Sequence, residues 1–303
     1  MAMARENLAK SQSLQFRETS VEMLTDFLTD LNERNRDNLQ NLPICSGAFK
    51  DRRLFEYTLL MCRELQLDTS VAYQAIEFLQ RFMVKNITHL LTDARVTDPG
   101  ALEDATFKQL KGNFALTVFS CIQLASKLSL QSQNVDIHMA MRFLHSVGLN
   151  FSKQAILESE LMVLKGLDFR LDLPNPLTYV ETLLEVLANN EPSAPVEHLY
   201  RLCRHVLQLV SLQRDSFYDA LLTITTQNLN PTAEMREKFI TVTEDCMMLG
   251  VGVIAAAAFI LHVQYWEQVV TELSHMTGIS TAVISDFSRV ALTLIVGTPS
   301  YGQ

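Results

Sequence analysis

The sequence has 303 residues, of which 48% are hydrophobic and 19% charged, with a formal net charge of −9 and five cysteines. This composition excludes a disordered or fibrous chain, and the negative charge argues against direct nucleic-acid binding, which relies on Lys and Arg. The odd cysteine count, without a CxxC pair, and a start without an apolar segment predict reduced thiols in a soluble, intracellular protein.

Apolar residues at helical spacing dominate the first half. A capping box from Thr19 to Glu22 predicts an N-terminal helix that ends near Gln40. A long polar connection is expected over residues 85–104, and Pro174 and Pro176 mark the end of this half. Between these signals the spacing predicts further helices over about 49–65, 69–83, up to 127, 138–147 and 152–167.

Six helical stretches follow in the second half, beginning with LTYVETLLEVL, and neither half shows a run of alternating strand. One stretch, residues 246–263, has no charged side chain, so a membrane span is the alternative to a buried helix. Its four alanines, two glycines and acidic flanks favour the centre of a helical bundle. Each half contains one such small-residue helix, so the sequence predicts an all-α fold of two tandem helical domains.

Enzyme motifs are absent: no GxxxxGK[ST], HExxH, GxSxG or Cys/His quartet occurs. The segment 250–255 fits the dinucleotide pattern GxGxx[GA], but no strand precedes it and Glu244 and Asp245 would repel a pyrophosphate. His198 and His205 lie two helical turns apart, too far for a shared metal without other ligands. We therefore expect a binding protein without catalytic residues, cofactor or metal.

Two charged residues stand out in apolar surroundings. Lys127 is the one charged side chain after Phe114 in its predicted helix, and Glu160 has only apolar residues three and four positions away. Two simple explanations remain open at this point. A lysine near a helix C-terminus is favoured by about 0.3–1 kcal/mol, and Glu160 would be stable on a solvated helix edge.

Three segments, read in order, carry a resemblance to a known family. VAYQAIEFLQRFM, CIQLASKL and ILESELMVLKGLDFRLDLPNPLTYV together resemble a cyclin box, with a matched order from Leu54 to Tyr179. The resemblance implies tandem cyclin-like five-helix repeats after an N-terminal helix. The corresponding divisions are an N-terminal segment (1–45), a cyclin box (46–173), a C-terminal repeat (174–297) and a tail (298–303).

The same resemblance implies a function and a site. In cyclins the matching lysine and glutamate form the polar centre of the kinase-binding face, so Lys127 and Glu160 are the expected kinase-facing residues. The implied partner is a cyclin-dependent kinase, with no membrane and no direct nucleic-acid partner. YQAIEFLQRFMVK, QLASKLS and LPNPLTYVETLLEVL are most similar to an atypical branch of the family that is associated with meiotic crossover maturation. A nuclear, chromosome-associated location follows, with a cytoplasmic fraction left open.

The chain departs from the family at the start of the box. Where many cyclins have Met-Arg-x-x-Leu followed by Asp and Trp, this chain keeps only the leucine, and the family's internal Arg–Asp pair becomes Asp51 and Gln80. Losing both partners together is physically coherent, because a single buried charge left without its partner would destabilise the fold by about 3–5 kcal/mol. The result is an altered docking patch, made of Lys50, Arg52, Arg53, Leu54 and Tyr57.

This patch and a second departure keep another function open. Arg52 and Arg53 are either attractive to an acidic partner or simply solvated. Ser129 and Leu130 replace the paired glutamates that commonly follow Ala-Ser-Lys-x in cyclins. The alternative to a kinase regulator is therefore a kinase-independent adaptor that recruits chromosome-bound recombination or clamp-loader machinery.

Overall fold

A computed structural model of the chain describes residue 16 and residues 19–43, 45–93, 113–129 and 134–297, and these ranges contain helices and no strand. The prediction of an all-α fold is confirmed. In chain order the described helices are α1 Val21–Gln40, α2 Arg52–Glu64, α3 Thr69–Asp93, α4 Phe114–Leu128, α5 Ile137–Ser146, α6 Lys153–Gly166, α7 Pro176–Asn190, α8 Val196–Leu212, α9 Arg214–Thr226, α10 Ala233–Lys238, α11 Ile240–Thr243, α12 Cys246–Leu261, α13 Val263–Thr277 and α14 Thr281–Val296.

The chain divides into two compact units. The first, here called the box unit, is Pro43–Leu173 and contains α2 to α6. The second, here called the composite unit, joins Met1–Leu42 to Pro174–Gln303 and contains α1 with α7 to α14. Helix α1 therefore packs with the second half of the chain, although it precedes the box in the sequence.

Helix α4 is the centre of the box unit. Every residue from 116 to 126 is buried, and α2, α3 and α6 all pack on this helix. Such complete burial explains why the helix carries no charge before Lys127, since a charged side chain in the core is costly unless an opposite charge or hydrogen bonds compensate it. A polar contact in the core joins it to α6, where the Ser120 and Ser159 hydroxyl oxygens are 2.8 Å apart.

Two of the cyclin-like motifs meet in the packing of α3 on α6. The ring of Phe82, from the FLQRFM segment, occupies the space in which a Cβ on Gly166 would stand. Phe82 is almost fully buried. The glycine of VLKGL is thus a close-approach position that lets an aromatic ring fit between the two helices.

Helix α12 has the same central place in the composite unit, with α7, α8, α13 and α14 packed on it. Gly252 lies against the ring of Phe287, and a Cβ on Gly250 would stand 3.0 Å from Leu183 Cδ1. The pattern that resembles a dinucleotide motif is therefore a helix-packing pattern. Among the described residues, no helix has the length and apolar character needed to cross a membrane.

Two details of the helix predictions in the first half are wrong. Helix α1 is capped by Ser20, whose hydroxyl accepts from the Met23 N–H at 3.4 Å, and Thr19 lies outside it. Helix α3 continues to Asp93, ten residues beyond the expected end, because no Pro or Gly interrupts it and Val84 is buried. Only the part of the expected connection up to 93 is described; the remainder, 94–104, lies outside the described residues.

The second half holds the other differences. The short helices α10 and α11 have no counterpart in the predictions. Helix α12 ends at Leu261 and α13 begins at Val263, because His262 between them has an extended backbone with φ −162°. Pro176, expected to end the first half, is the first residue of α7, where a missing N–H costs nothing.

Candidate partner-binding face

Lys127 and Glu160 form an ion pair on the box unit. The Lys127 Nζ donates to Glu160 Oε1, joining the last turn of α4 to the middle of α6. The lysine side chain is 41% exposed and the glutamate side chain 10% exposed. The cation is thus within reach of a partner, while the carboxylate lies beneath it and holds it in place.

The position of Glu160 follows from how α6 is built. Ser152 caps the helix by accepting from the Ala155 N–H at 3.1 Å, and Ile156 and Val163 point into the core with no exposed surface. Glu160 is on the boundary of this buried face, next to the buried Ser159. The alternative of a solvated Glu160 is wrong, because a nearly buried carboxylate needs a partner and Lys127 supplies it.

Exposed leucines surround the ion pair on its two helices. Leu128 follows the lysine on α4, and Leu157 and Leu161 are exposed on α6, three positions before and one after the glutamate. Spacings of three and four place Leu157, Glu160 and Leu161 on one side of the helix. Sequence reasoning missed these leucines; the available signal was an apolar helix face that is interrupted by a single acid.

A strained turn follows α6 directly. Asp168 and Phe169 have φ values of 53° and 58°, a left-handed conformation that is rare for a bulky residue such as Phe. The Phe169 N–H donates to the Leu164 carbonyl at 3.0 Å, and the Phe169 side chain is 64% exposed. Both Asp168 carboxylate oxygens accept from Lys85 Nζ on α3 at 2.7 Å, and this bonding lowers the pKa of Asp168.

The five residues of the proposed docking patch are in different environments. Lys50 forms an ion pair with Glu77 at 2.9 Å, with both side chains largely buried, and Leu54 is part of the core. Arg52, Arg53 and Tyr57 are exposed. Leu60, one turn after Tyr57, adds a further exposed apolar residue that the sequence did not identify.

Replacement of the family's Arg–Asp pair leaves no gap in the structure. The Gln80 side chain accepts from the Phe49 N–H at 2.9 Å and donates to the Cys45 carbonyl at 3.3 Å. Asp51 is the N-cap of α2 and accepts from the N–H of Arg53 at 2.9 Å. Neutral hydrogen bonds and a helix cap therefore replace a buried ion pair.

Metal-binding geometry does not occur in the described part of the chain, where no three His, Cys, Asp or Glu side chains are grouped to hold an ion. His198 and His205 are both exposed on α8.

Burial raises the pKa of Cys62 to about 12, with the nearby Asp68 charge as a smaller cause, so this thiol stays protonated at neutral pH.

Comparison with known proteins gives a consistent result. The family profile "Cyclin, N-terminal domain" matches residues 26–172. The chain is 38% identical to human Cyclin N-terminal domain-containing protein 1 over 304 residues, which covers 99% of this chain and 92% of the relative. The mouse protein of the same name is 37% identical over 303 residues, 98% of this chain and 91% of the relative. The chain belongs to the cyclin family.

In this cyclin-family chain, the profile match ends at residue 172, next to the end of the box unit at Leu173. It begins inside α1, which packs in the composite unit. The Lys127–Glu160 pair and the exposed leucines around it, Leu128, Leu157 and Leu161, lie within the matched residues.

Proposed function

We propose that this protein is a non-catalytic regulatory cyclin that binds a cyclin-dependent kinase and thereby promotes meiotic crossover maturation in the nucleus, in association with chromosomes. The observation that carries the proposal is the surface arrangement on the box unit: an exposed lysine, held by a buried glutamate and surrounded by exposed leucines. The cyclin-family membership supports a kinase as the partner class. The likeness to the human and mouse relatives, over nearly the whole chain, supports the proposed placement in the atypical branch.

The chemistry of this face suits a helix of the kinase. Leu128, Leu157 and Leu161 offer apolar surface, and the Lys127 ammonium can donate to backbone carbonyls, which are concentrated at a helix C-terminus. Glu160 limits the rotamers of the lysine, so less side-chain entropy is lost on binding. Seating the kinase's C-helix lets its own Lys–Glu pair form around ATP, and phosphoryl transfer remains with the kinase.

A second candidate function has an observation of its own. Lys50 is occupied by Glu77 and Leu54 is buried, so the surface of α2 presents Arg52, Arg53 and Tyr57 in place of an apolar substrate groove. A surface with two arginines and an aromatic ring suits an acidic protein segment. This observation favours an adaptor that recruits chromosome-bound recombination or clamp-loader machinery without a kinase.

Charge reversal at the ion pair distinguishes the two functions. The full chain would be precipitated from meiotic cells as wild type, Lys127→Glu, Glu160→Lys and the double swap that carries both changes. The swap restores an internal pair of opposite orientation, so it separates loss of fold from loss of recognition. Arg142→Glu, an exposed charge reversal on α5, is the matched control.

We expect the wild type and Arg142→Glu to recover a cyclin-dependent kinase in equal amounts. The two single variants and the swap should recover about tenfold less kinase, or none. Circular dichroism checks that each variant is folded. Equal kinase recovery by the swap and the wild type would show that the pair is structural and remove it from the interface. Recovery of recombination or clamp-loader proteins without a kinase would favour the adaptor.

A further inference from the structure

Three basic side chains surround one carboxylate where α3 meets the turn that follows α6, within the box unit. Lys85 Nζ donates to both carboxylate oxygens of Asp168, at 2.7 Å each. Arg81 precedes Lys85 by one turn of α3, and this spacing of four places the two side chains on one face of the helix. Arg170 follows Asp168 by two positions. These four residues are here called the basic cluster.

The two arginines act on Asp168 through their charge. The pKa of Asp168 is lowered first by the hydrogen bond and the charge of Lys85, and further by the charges of Arg170 and Arg81. A guanidinium group lowers the pKa of a carboxyl group only when the two are near each other. Both arginines therefore lie beside the Lys85–Asp168 bond without taking part in it.

Neither arginine is occupied by the fold. In the part of the chain that the structure describes, neither side chain forms an ion pair or a hydrogen bond. Glu77, one turn before Arg81, is bonded to Lys50 instead, at 2.9 Å. Arg170 is exposed and Arg81 half-buried. Each guanidinium group thus keeps its N–H donors for a ligand.

The basic cluster has a surplus of positive charge. Three cations face one carboxylate, which leaves a local charge of +2 in a chain whose net charge is −9. Like charges held close together repel one another, and an anion placed among them relieves this repulsion. A phosphorylated serine or threonine carries a charge of about −1.5 to −2 and three acceptor oxygens, so it balances the surplus better than one carboxylate does.

The turn after α6 presents the cluster on an open surface. Asp168 and Phe169 have left-handed backbones, with φ 53° and 58°, and the Arg170 N–H donates to the Leu167 carbonyl at 3.0 Å. Water and salt weaken the attraction for a small free anion at such an exposed place. A phosphate carried on a chain segment gains further contacts, and the Phe169 side chain, 64% exposed, offers apolar surface for them.

We infer that the basic cluster binds a phosphorylated serine or threonine of a partner protein, with the phosphate on Arg81 and Arg170 and a neighbouring apolar side chain on Phe169. Arginine suits this role because its paired N–H donors match the spacing of phosphate oxygens. Asp168 competes with the phosphate for the cations and so limits its affinity. The site goes beyond the proposed kinase-binding face, with which it shares no residue.

A phosphopeptide tests the inference directly. The probe is a fluorescein-labelled peptide of about eight residues, roughly 25 Å when extended, with one phosphoserine followed by leucine and no other charged side chain. Two matched peptides carry serine, or two adjacent glutamates, in place of the phosphoserine. Fluorescence anisotropy with the full chain, without a kinase, measures binding, so the result does not depend on the kinase proposal. Inorganic phosphate, added as a competitor, shows whether the free ion is enough.

Variants with opposite expected effects make the test specific. Arg170→Ala and Arg81→Ala each remove a phosphate contact and should weaken phosphopeptide binding at least about fivefold. Asp168→Asn removes the competing carboxylate and keeps a residue that tolerates a left-handed backbone, so binding should strengthen at least about twofold. Arg142→Ala on α5 and Asp136→Asn at its N-cap are exposed changes of the same kinds, and should bind like the wild type.

Circular dichroism checks the fold of each variant, and the gain expected for Asp168→Asn cannot arise from unfolding. Four results would overturn the inference. The first is equal binding by both arginine variants and the wild type, and the second is weaker binding by Asp168→Asn. The third is equal binding of the serine or the glutamate peptide, which would show that the phosphate is not recognised. The last is displacement of the peptide by an equal concentration of inorganic phosphate, since the segment would then add nothing.

Discussion

Single residues in the box unit show how the environment of a charge determines its role. Glu160 and Asp168 are eight positions apart, and each is bound by a lysine from another helix. Glu160 is almost buried, so its pair with Lys127 satisfies a carboxylate that is largely shielded from water. Asp168 and Lys85 are both exposed, and their bond instead joins the strained turn at Phe169 to α3.

The exposed pair makes stability depend on pH in a defined direction. The hydrogen bond from Lys85, together with its charge, lowers the pKa of Asp168 in the folded state. A lowered folded pKa means that the contribution is present above the unfolded value of about 3.9 and is lost as the pH falls through the folded value. Lys85→Gln should therefore raise the pKa of Asp168 and lower the unfolding midpoint at neutral pH.

This effect should disappear in acid, where the wild type also loses the charge on Asp168. Carboxyl NMR titration would measure the pKa, and thermal unfolding at neutral pH and at a pH below the measured folded pKa would measure the stability difference. Lys153→Gln, an exposed lysine at the start of α6, is the control. An Asp168 pKa that is the same in Lys85→Gln and the wild type would contradict the assignment.

At the scale of helices, each unit is organised around one helix of small side chains. Helix α12 has four consecutive alanines and two glycines, and the residues from 250 to 258 are all buried. Small side chains let the surrounding helices approach closely, which is why an aromatic ring such as Phe287 can lie against the backbone. The small, uncharged residues of these segments indicated the central helices correctly from the sequence, but not the rings that pack on them.

Gly252→Ala tests this packing. In an open helix the change would stabilise by about 1 kcal/mol through helix propensity, but here the new Cβ would collide with the Phe287 ring. We expect a net loss of about 1–3 kcal/mol in the free energy of unfolding, measured by urea denaturation. Gly250→Ala is the control and should cost less, since its nearest neighbour is the movable Leu183 Cδ1 at 3.0 Å. A Gly252→Ala protein as stable as the wild type would refute the explanation.

At the scale of the whole chain, the placement of α1 is the main feature of the structure. Asn35, buried in the middle of α1, donates to Asp245 Oδ1 at 2.9 Å and accepts from the Cys246 N–H at 3.1 Å. These bonds hold the first turn of α12, more than 200 positions away along the chain. The N-terminal helix is thereby a structural part of the composite unit.

Asn35→Ala should destabilise the composite unit by about 1–3 kcal/mol, because it removes both bonds and leaves buried polar groups without them. Hydrogen exchange monitored by mass spectrometry should show faster exchange at the start of α12. Asn38→Ala, an exposed change one turn later on α1, should leave that exchange unaltered. Equal protection of α12 in both variants would show that Asn35 does not hold this helix.

Features that depend on neighbours along the chain were accessible from the sequence alone. Helix periodicity predicted an all-α fold, the two small-residue central helices and most helix ends, and the ordered motifs indicated the cyclin family. Local signals misplaced a helix end where no Pro or Gly marks it: α3 continues to Asp93, ten residues beyond its expected end. The sequence already argued against a dinucleotide motif at Gly250–Ala255, because no strand precedes it, but spacing alone did not show which side chains pack on its glycines.

Contacts between distant segments were decided only by the tertiary structure. The sequence marked Lys127 and Glu160 as unusual, but their bond, the Lys50–Glu77 pair and the hydrogen bonds of Gln80 each need helices to be placed in space. The same holds for the hydrogen bond between Asn35 on α1 and Asp245 at the start of α12, which are more than 200 positions apart along the chain. Helical propensity acts over one or two turns, whereas burial and charge pairing depend on which helix faces meet, and that is a property of the folded chain.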